Sequence, residues 1–203
     1  MCAGIVYGAW RLINPPLIQG LTLGAVRGER VLFRDVSIAA HAGELILLRG
    51  ANGSGKTTLL RQLAGLSDPQ AGEVVRVSAH HHWIGHTNGL KAHETPRTHL
   101  KHWANVWGSG VDISNVLEDM GLTRPADVPC RMLSAGQKRR TALARLKLEE
   151  RSVWLLDEPF NALDTDGQAH LAEMIETHRA SGGAVIAALH GAAPVQASGE
   201  VML

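Results

Sequence analysis

Apolar and polar positions change period several times along this chain, and each change predicts an element. Leu21-Thr22-Leu23 and Val31-Leu32-Phe33 are strand-like, with Arg27-Gly28-Glu29 as the turn between them. Val36-Ser37-Ile38-Ala39 alternates apolar with polar before Ala42-Gly43 turns the chain. Glu44-Leu45-Ile46-Leu47-Leu48 is almost continuously apolar, the pattern of a strand covered on both faces of a sheet. Residues 57–64 switch to a helical period, with Leu59, Leu60 and Leu63 on one face and Gly65 as the stop. Val153-Trp154-Leu155-Leu156 and residues 184–189 predict two further buried strands. Between them residues 167–180 predict a helix, with Leu171, Met174, Ile175 and His178 at helical spacing and Ser181-Gly182-Gly183 as its end. From Gly89 to Arg151 the strand signal vanishes, and 97–107, 112–120 and 136–148 all read as helices. Strands alternating with helices predict an α/β fold with a parallel sheet, and the helical stretch predicts a lobe, residues 88–148, inserted between two of its strands.

Composition narrows this. At 203 residues the chain fits one domain with an inserted lobe, here residues 20–203. Twenty Lys+Arg stand against nineteen Asp+Glu, a net charge of +1, which excludes a surface that grips nucleic acid all round. Two cysteines, Cys2 and Cys130, make neither a disulfide framework nor a Cys-based zinc site. No apolar run approaches the ~18–20 residues that cross a bilayer. Residues 1–19 predict a poorly ordered leader. No basic segment precedes the mildly apolar stretch 2–10, Arg11 follows it, and Asn14-Pro15-Pro16 breaks regular structure, so a secretory signal is not expected. Glycine, 22 residues of 203, exceeds its usual ~7%, and asks for a use.

The first use is a phosphate cradle. The strand ending at Leu48 runs into Gly50-Ala51-Asn52-Gly53-Ser54-Gly55-Lys56-Thr57, followed by Thr58. This is G-x-x-x-x-G-K-[ST] between a buried strand and a helix. Backbone N–H groups wrap a triphosphate only where side chains do not block the approach, and a helix N-terminus favours the anion. Lys56 reaches the β and γ phosphates, and Thr57 offers a hydroxyl to Mg²⁺.

The second buried strand ends in Asp157-Glu158. At the C-terminal end of a parallel strand both carboxylates border the crevice of the phosphate loop. Asp157 is placed for the Mg²⁺ site, and Glu158, one residue on, points elsewhere and can polarise an attacking water.

A third motif is Leu133-Ser134-Ala135-Gly136-Gln137, followed by Lys138-Arg139-Arg140-Thr141-Ala142-Leu143-Ala144-Arg145. Ser134 suits the cap of the following helix, and small residues let a phosphate approach its N-terminus. This motif resembles the signature sequence of ABC-transporter ATPases. Asn161-Ala162-Leu163-Asp164 is similar to their D-loop, and His190 stands where they carry a switch histidine. The resemblance covers about residues 20–203. It implies a P-loop NTPase (RecA-like) parallel sheet with an N-terminal antiparallel β lobe and an inserted helical subdomain. It further implies ATP and Mg²⁺ as ligands and two ATPase domains facing head to tail. Each ATP then lies between one phosphate loop and the partner's Ser134, Ala135, Gly136 and Gln137. Catalytic roles fall to Glu158 as general base and His190 as the sensor of the γ-phosphate, metal binding to Thr57 and Asp157, and nucleotide contacts also to Asp164.

Two positions depart from the common pattern. His86, after Trp83-Ile84-Gly85, occupies the place of the glutamine that couples the nucleotide site to a membrane partner, and its imidazole N–H is expected to do that work. No aromatic for stacking adenine stands at the matching place, near Val26. Trp83-Ile84-Gly85-His86, the Leu-Ser-Ala-Gly-Gln-Lys-Arg-Arg stretch and Trp-Leu-Leu-Asp-Glu-Pro-Phe-Asn-Ala-Leu-Asp together closely resemble the haem-exporter ATP-binding subunits of cytochrome c maturation, the CcmA family. That resemblance implies a peripheral protein on the cytoplasmic face of the inner membrane. It implies separately encoded integral membrane subunits as partners, and ATP hydrolysis supporting haem delivery or release of a loaded haem chaperone. The alternatives are the ATPase of another ABC transporter, or a soluble ABC ATPase of repair or translation, which usually carries a coiled-coil insertion or tandem domains.

Three other features have plainer readings. The basic residues between Arg131 and Lys147 have no interleaved aromatics to stack on bases, so a charged helix face is expected rather than a nucleic-acid patch. His80-His81-His82 cannot all face one metal from a strand, and an exposed polar hairpin edge is expected there. Trp103 and Trp107, at i, i+4 with Leu100 nearby, predict the core of the helical lobe, with a docking surface for the membrane partner as the alternative.

Overall fold

The computed structural model describes residues 15–77, 80–191 and 194–203. Residues 1–14, most of the expected leader, lie outside them. The remainder of that expectation is corrected, because β1 (Ile18–Arg27) begins inside it. Ile18 is buried and pairs with Ala40 and Arg76 on its two neighbours. β2 (Arg30–Ala40) absorbs two of the short strands expected separately. With β4 (Ala71–Arg76) they make an antiparallel sheet in the order β2-β1-β4. Bulges fragmented the sequence pattern here. The β1–β2 register shifts between Gly20 and Val26, and Thr22 and Asp35 sit at positive φ.

The second sheet is parallel. β3 (Leu45–Arg49), β5 (His81–Ile84), β6 (Val153–Asp157), β7 (Ala184–Ala188) and β8 (Gly199–Met202) run in the order β5-β6-β7-β3-β8. Its central strands divide their residues between two cores by the period of two. Leu45, Leu47, Trp154, Leu156, Val185 and Ala187 face one cluster; Ile46, Leu48, Val153, Leu155, Ile186 and Ala188 face the other. Burial on both faces is why these segments read as unbroken apolar runs.

The first cluster is closed by α2 (Pro96–Trp107), α3 (Ile113–Asp119), α4 (Ala135–Leu143) and α5 (Thr165–Ala180). Three of these, α2 to α4, lie between β5 and β6 in the chain. α2 starts at a Thr95 cap with proline at its first position and ends at Gly108 in the left-handed region. The helix expected over 136–148 is shorter: α4 stops at Leu143 and a 3₁₀ segment, Ala144–Lys147, continues it. The second cluster joins α1 (Lys56–Leu63) to the antiparallel sheet through Leu59, Leu60, Leu63, Ile18, Leu23, Phe33 and Ile38.

Two expectations about polar residues are overturned. The triple histidine is no exposed hairpin edge. His81 and His82 belong to parallel strand β5, where His82 is 2% exposed, lies 2.9 Å through Nε2 from the Glu149 carbonyl and meets Trp107 edge-on at 5.2 Å. Burial pushes its pKa down to about 4. No group of three His, Cys, Asp or Glu among the described residues could hold a metal ion. Nor do the basic residues of 131–147 form a solvated face. Arg139 is 3% exposed, and Arg145 lies over the Trp103 ring at 5.5 Å. Trp103 and Trp107 pack against the first core at 5.0 Å from each other, with Arg151 over Trp107 at 4.7 Å. Among the described residues no helix is long and apolar enough to cross a membrane.

Candidate active site

The strand order β5-β6-β7-β3 places four chain turns side by side at the C-terminal edge of the parallel sheet. These are the loop holding His86, the Asp157-Glu158 end, the His190 turn and the phosphate loop. Ligands of open α/β sheets bind at this edge.

The phosphate loop is shaped by close packing as much as by glycine's freedom. Gly55 caps α1 at φ 109, and a Cβ there would lie 2.7 Å from the Phe33 ring. A Cβ at Gly50 would collide with the Leu203 carbonyl and Ser54 Oγ. Gly53 instead faces open space. No side chain caps α1, so its first-turn N–H groups remain for a ligand. Lys56, 6% exposed, donates to the carbonyls of Gly50 at 2.8 Å and Ala51 at 3.0 Å and meets no carboxylate among the described residues. Ser54 Oγ is buried without a hydrogen-bond partner. A buried cation held by carbonyls alone, an orphaned hydroxyl and uncapped helix amides fit a polyphosphate. Thr57 Oγ1 donates to Asp157 Oδ2 at 2.8 Å, joining α1 to the end of β6. A hydroxyl and a carboxylate this close fit a hard divalent cation such as Mg²⁺.

Asp157 is buried at the end of β6. Glu158 follows at φ 50, a left-handed conformation that swings its side chain out of the strand's alternation. Its N–H donates to the Ala188 carbonyl at 2.9 Å, tying it to β7. Its Oε1 lies 3.1 Å from His190 Nε2, and its Oε2 accepts from Asn161 Nδ2. The carboxylate is thus held from both sides while still 27% exposed, which suits a proton acceptor working on water.

The signature segment lies close by. Ser134 and Gln137 form a reciprocal capping box on α4: Gln137 N–H donates to Ser134 Oγ at 3.1 Å, and Ser134 N–H donates to Gln137 Oε1 at 2.9 Å. The Ser134 hydroxyl proton stays available to a further acceptor. The Gln137 side-chain oxygen is spent on its own helix. A Cβ at Gly136 would stand 2.9 Å from the Ala162 carbonyl, so this glycine admits the neighbouring loop. Asp164 caps α5 through the Gly167 N–H at 3.0 Å and accepts from Arg140 at 2.8 Å, roles that use both oxygens within the chain. A cavity of about 250 Å³ is lined by exposed His86, Ala135, Lys138, Glu158 and Asn161 among others. It brings the His86 loop and the acidic strand end together. Val26 pairs with Val31 near the tip of the β1–β2 hairpin, and both are exposed.

Sequence reasoning missed Arg139. All five of its N–H donors are used: Nε to Pro159 O at 3.1 Å, one terminal nitrogen to Gly85 O at 2.9 Å and Asn88 Oδ1 at 3.2 Å, the other to Asp157 O at 2.8 Å and Glu158 O at 2.9 Å. Burial lowers its pKa to about 10, so it keeps its charge at neutral pH. An arginine in a run of polar residues carries no periodic signal that could have found it.

This fold and site define an ATP-binding domain of the ABC-transporter class. The ABC transporter family pattern matches residues 33–161. The chain is 56% identical over 188 residues to the cytochrome c biogenesis ATP-binding export protein CcmA of Hyphomonas neptunium, covering 93% of this chain and 97% of that one. It is 44% identical over 182 residues to the protein of the same name from Maricaulis maris, covering 85% and 84%. A solved ATP-binding protein of an ABC transporter from Pyrococcus furiosus superposes with a TM-score of 0.76 at 20% identity, over 92% of this chain and 96% of that one, a likeness of fold. The chain belongs to the CcmA family of ABC-transporter ATP-binding proteins.

Proposed function

We propose that this chain is the ATP-hydrolysing subunit of a cytochrome c biogenesis exporter, working as a head-to-tail homodimer of ATPase domains. One observation carries the reading. The phosphate loop, the Thr57–Asp157 pair and the Glu158–His190 pair meet at the C-terminal edge of one sheet, in a chain 56% identical to a cytochrome c biogenesis ATP-binding export protein. Lys56 and the α1 amides neutralise the phosphates, and Thr57 and Asp157 hold the magnesium ion. When bound, that ion neutralises charge at the β and γ phosphates. Glu158 takes a proton from a water whose oxygen bonds to the γ-phosphorus. The bond to the bridging oxygen breaks, and ADP leaves with that electron pair. His190 and Asn161 hold the carboxylate in place. Ser134 and Gly136, at the N-terminus of α4, contact the γ-phosphate bound by the other protomer.

Integral membrane subunits of the cytochrome c maturation transporter hold the dimer at the cytoplasmic face of the inner membrane, with His86 passing on the state of the site. The ATPase thereby drives haem delivery or release of a loaded haem chaperone. Purification from membranes tests this: integral subunits should come with the chain, and phosphate release by the complex should require ATP and Mg²⁺. Isolation without any integral subunit, or turnover without Mg²⁺, would overturn it.

A further inference from the structure

We propose that Arg139 is a positioning residue that locks the end of β6 to the loop after β5, so that Glu158 faces its water only while the His86 loop is in place. The proposal rests on the reading of Glu158 as the base. Three of the five acceptors of Arg139 are the consecutive carbonyls of Asp157, Glu158 and Pro159; the other two are Gly85 O and Asn88 Oδ1, on either side of His86. Consecutive carbonyls in an extended strand point to opposite sides and cannot converge on one cation. They converge here because Glu158 turns left-handed at φ 50. The guanidinium therefore stabilises the same backbone conformation that directs the Glu158 carboxylate toward His190. Among the described residues no carboxylate forms an ion pair with the cation; carbonyl dipoles at hydrogen-bond distance stabilise it, with the charges of Asp157 and Glu158 nearby. Moving the 85–88 loop strips two of five bonds from a buried charge, a costly event. The position of that loop and the conformation of Glu158 are thereby coupled through one side chain, which is itself carried on the signature helix.

Lysine has three donors on a point charge and cannot span both loops in this fork geometry. In the membrane complex, R139K should retain ATP affinity and KM within about twofold while kcat falls on the order of tenfold to a hundredfold, the scale of a misplaced catalytic group. N88A removes only one acceptor from the loop and should lower kcat on the order of threefold with KM unchanged. The R139K/N88A double variant should be no slower than R139K, because the lock is already open. A merely structural arginine would instead lower thermal stability and affinity together, and its effect would add to that of N88A. Full turnover in R139K, or additive losses in the double variant, would overturn the lock. An inactive E158Q beside a fully active R139K would reject the lock alone; a fully active E158Q would reject the reading of Glu158 as base. Should R139K fail to fold, N88A alone decides: wild-type kcat rejects the lock, and a fall in kcat at constant KM supports it.

Discussion

The Glu158 carboxylate meets the His190 imidazole at 3.1 Å, across the gap between the ends of two neighbouring parallel strands. Each strand end alone is an ordinary acidic or basic turn. Their adjacency follows from the order β6-β7, and it turns a glutamate into an oriented acceptor.

Glu158→Gln should bind ATP with wild-type affinity and lose turnover by about 10²–10⁴-fold, the usual contribution of general base catalysis. His190→Ala leaves the base in place but unanchored on one side, so its loss should be smaller, on the order of tenfold to a hundredfold. Single-turnover phosphate release, read beside equilibrium nucleotide binding, checks both. Equal losses in the two variants would assign His190 a role beyond positioning.

Asp157→Asn retains an acceptor for Thr57 and discards the charge. Half-maximal turnover should then require on the order of tenfold more Mg²⁺, the effect of outer or inner ligand loss at a cation site. A magnesium titration of the ATPase rate shows it, and an unmoved curve would remove Asp157 from the metal site.

Gly55→Ala and Gly53→Ala test packing against conformation. Both glycines have positive φ, but only the Cβ at Gly55 meets a ring, at 2.7 Å. Gly53→Ala should cost about 1 kcal/mol of stability from backbone strain, and Gly55→Ala about 2–4 kcal/mol with overpacking added. Denaturant midpoints of the two variants should separate accordingly.

Stability should fall between pH 6.5 and pH 4. His82, His99 and His178 are each held neutral by burial with pKa values of about 4, against 6.5 for the free side chain. Within that window the unfolded chain binds protons that the folded chain refuses, so unfolding becomes easier as pH drops. Each histidine contributes on the order of 1–2 kcal/mol by pH 5. Thermal unfolding followed from pH 7.5 to pH 4.5 should show the decline, and His82→Gln should flatten part of it.

The parallel sheet and its active edge were legible because burial on both faces writes continuous apolar runs, and because phosphate chemistry demands small residues in a fixed order. Glu44 to Thr57 and Val153 to Glu158 carry both signals at once. β4 was not legible. It pairs with β1 across some fifty residues of chain, lies largely exposed, and contains Gly72, where a Cβ would collide with the Leu21 carbonyl. β8 is four residues long at the sheet edge, with only alternate residues partly covered. The histidine run hid the burial of β5, because one residue type at successive positions conceals the period of two. Arg139 was invisible for another reason. Four of its five acceptors are main-chain carbonyls, which any residue can supply, spread from Gly85 to Pro159.

The charges of the crevice have a further consequence. Lys56 and Arg139 offset Asp157 and Glu158 one for one, so the formal sum over these four groups is zero. A triphosphate with its magnesium is a net anion, and the pull of Lys56 on it is partly balanced by the two carboxylates. Oriented dipoles add to it: the uncapped amides of α1 on one side and, in the proposed dimer, the N-terminus of α4 on the other. The field of a helix end falls off within its first turn, so in the proposed dimer a single protomer supplies only part of the field that closes around the nucleotide.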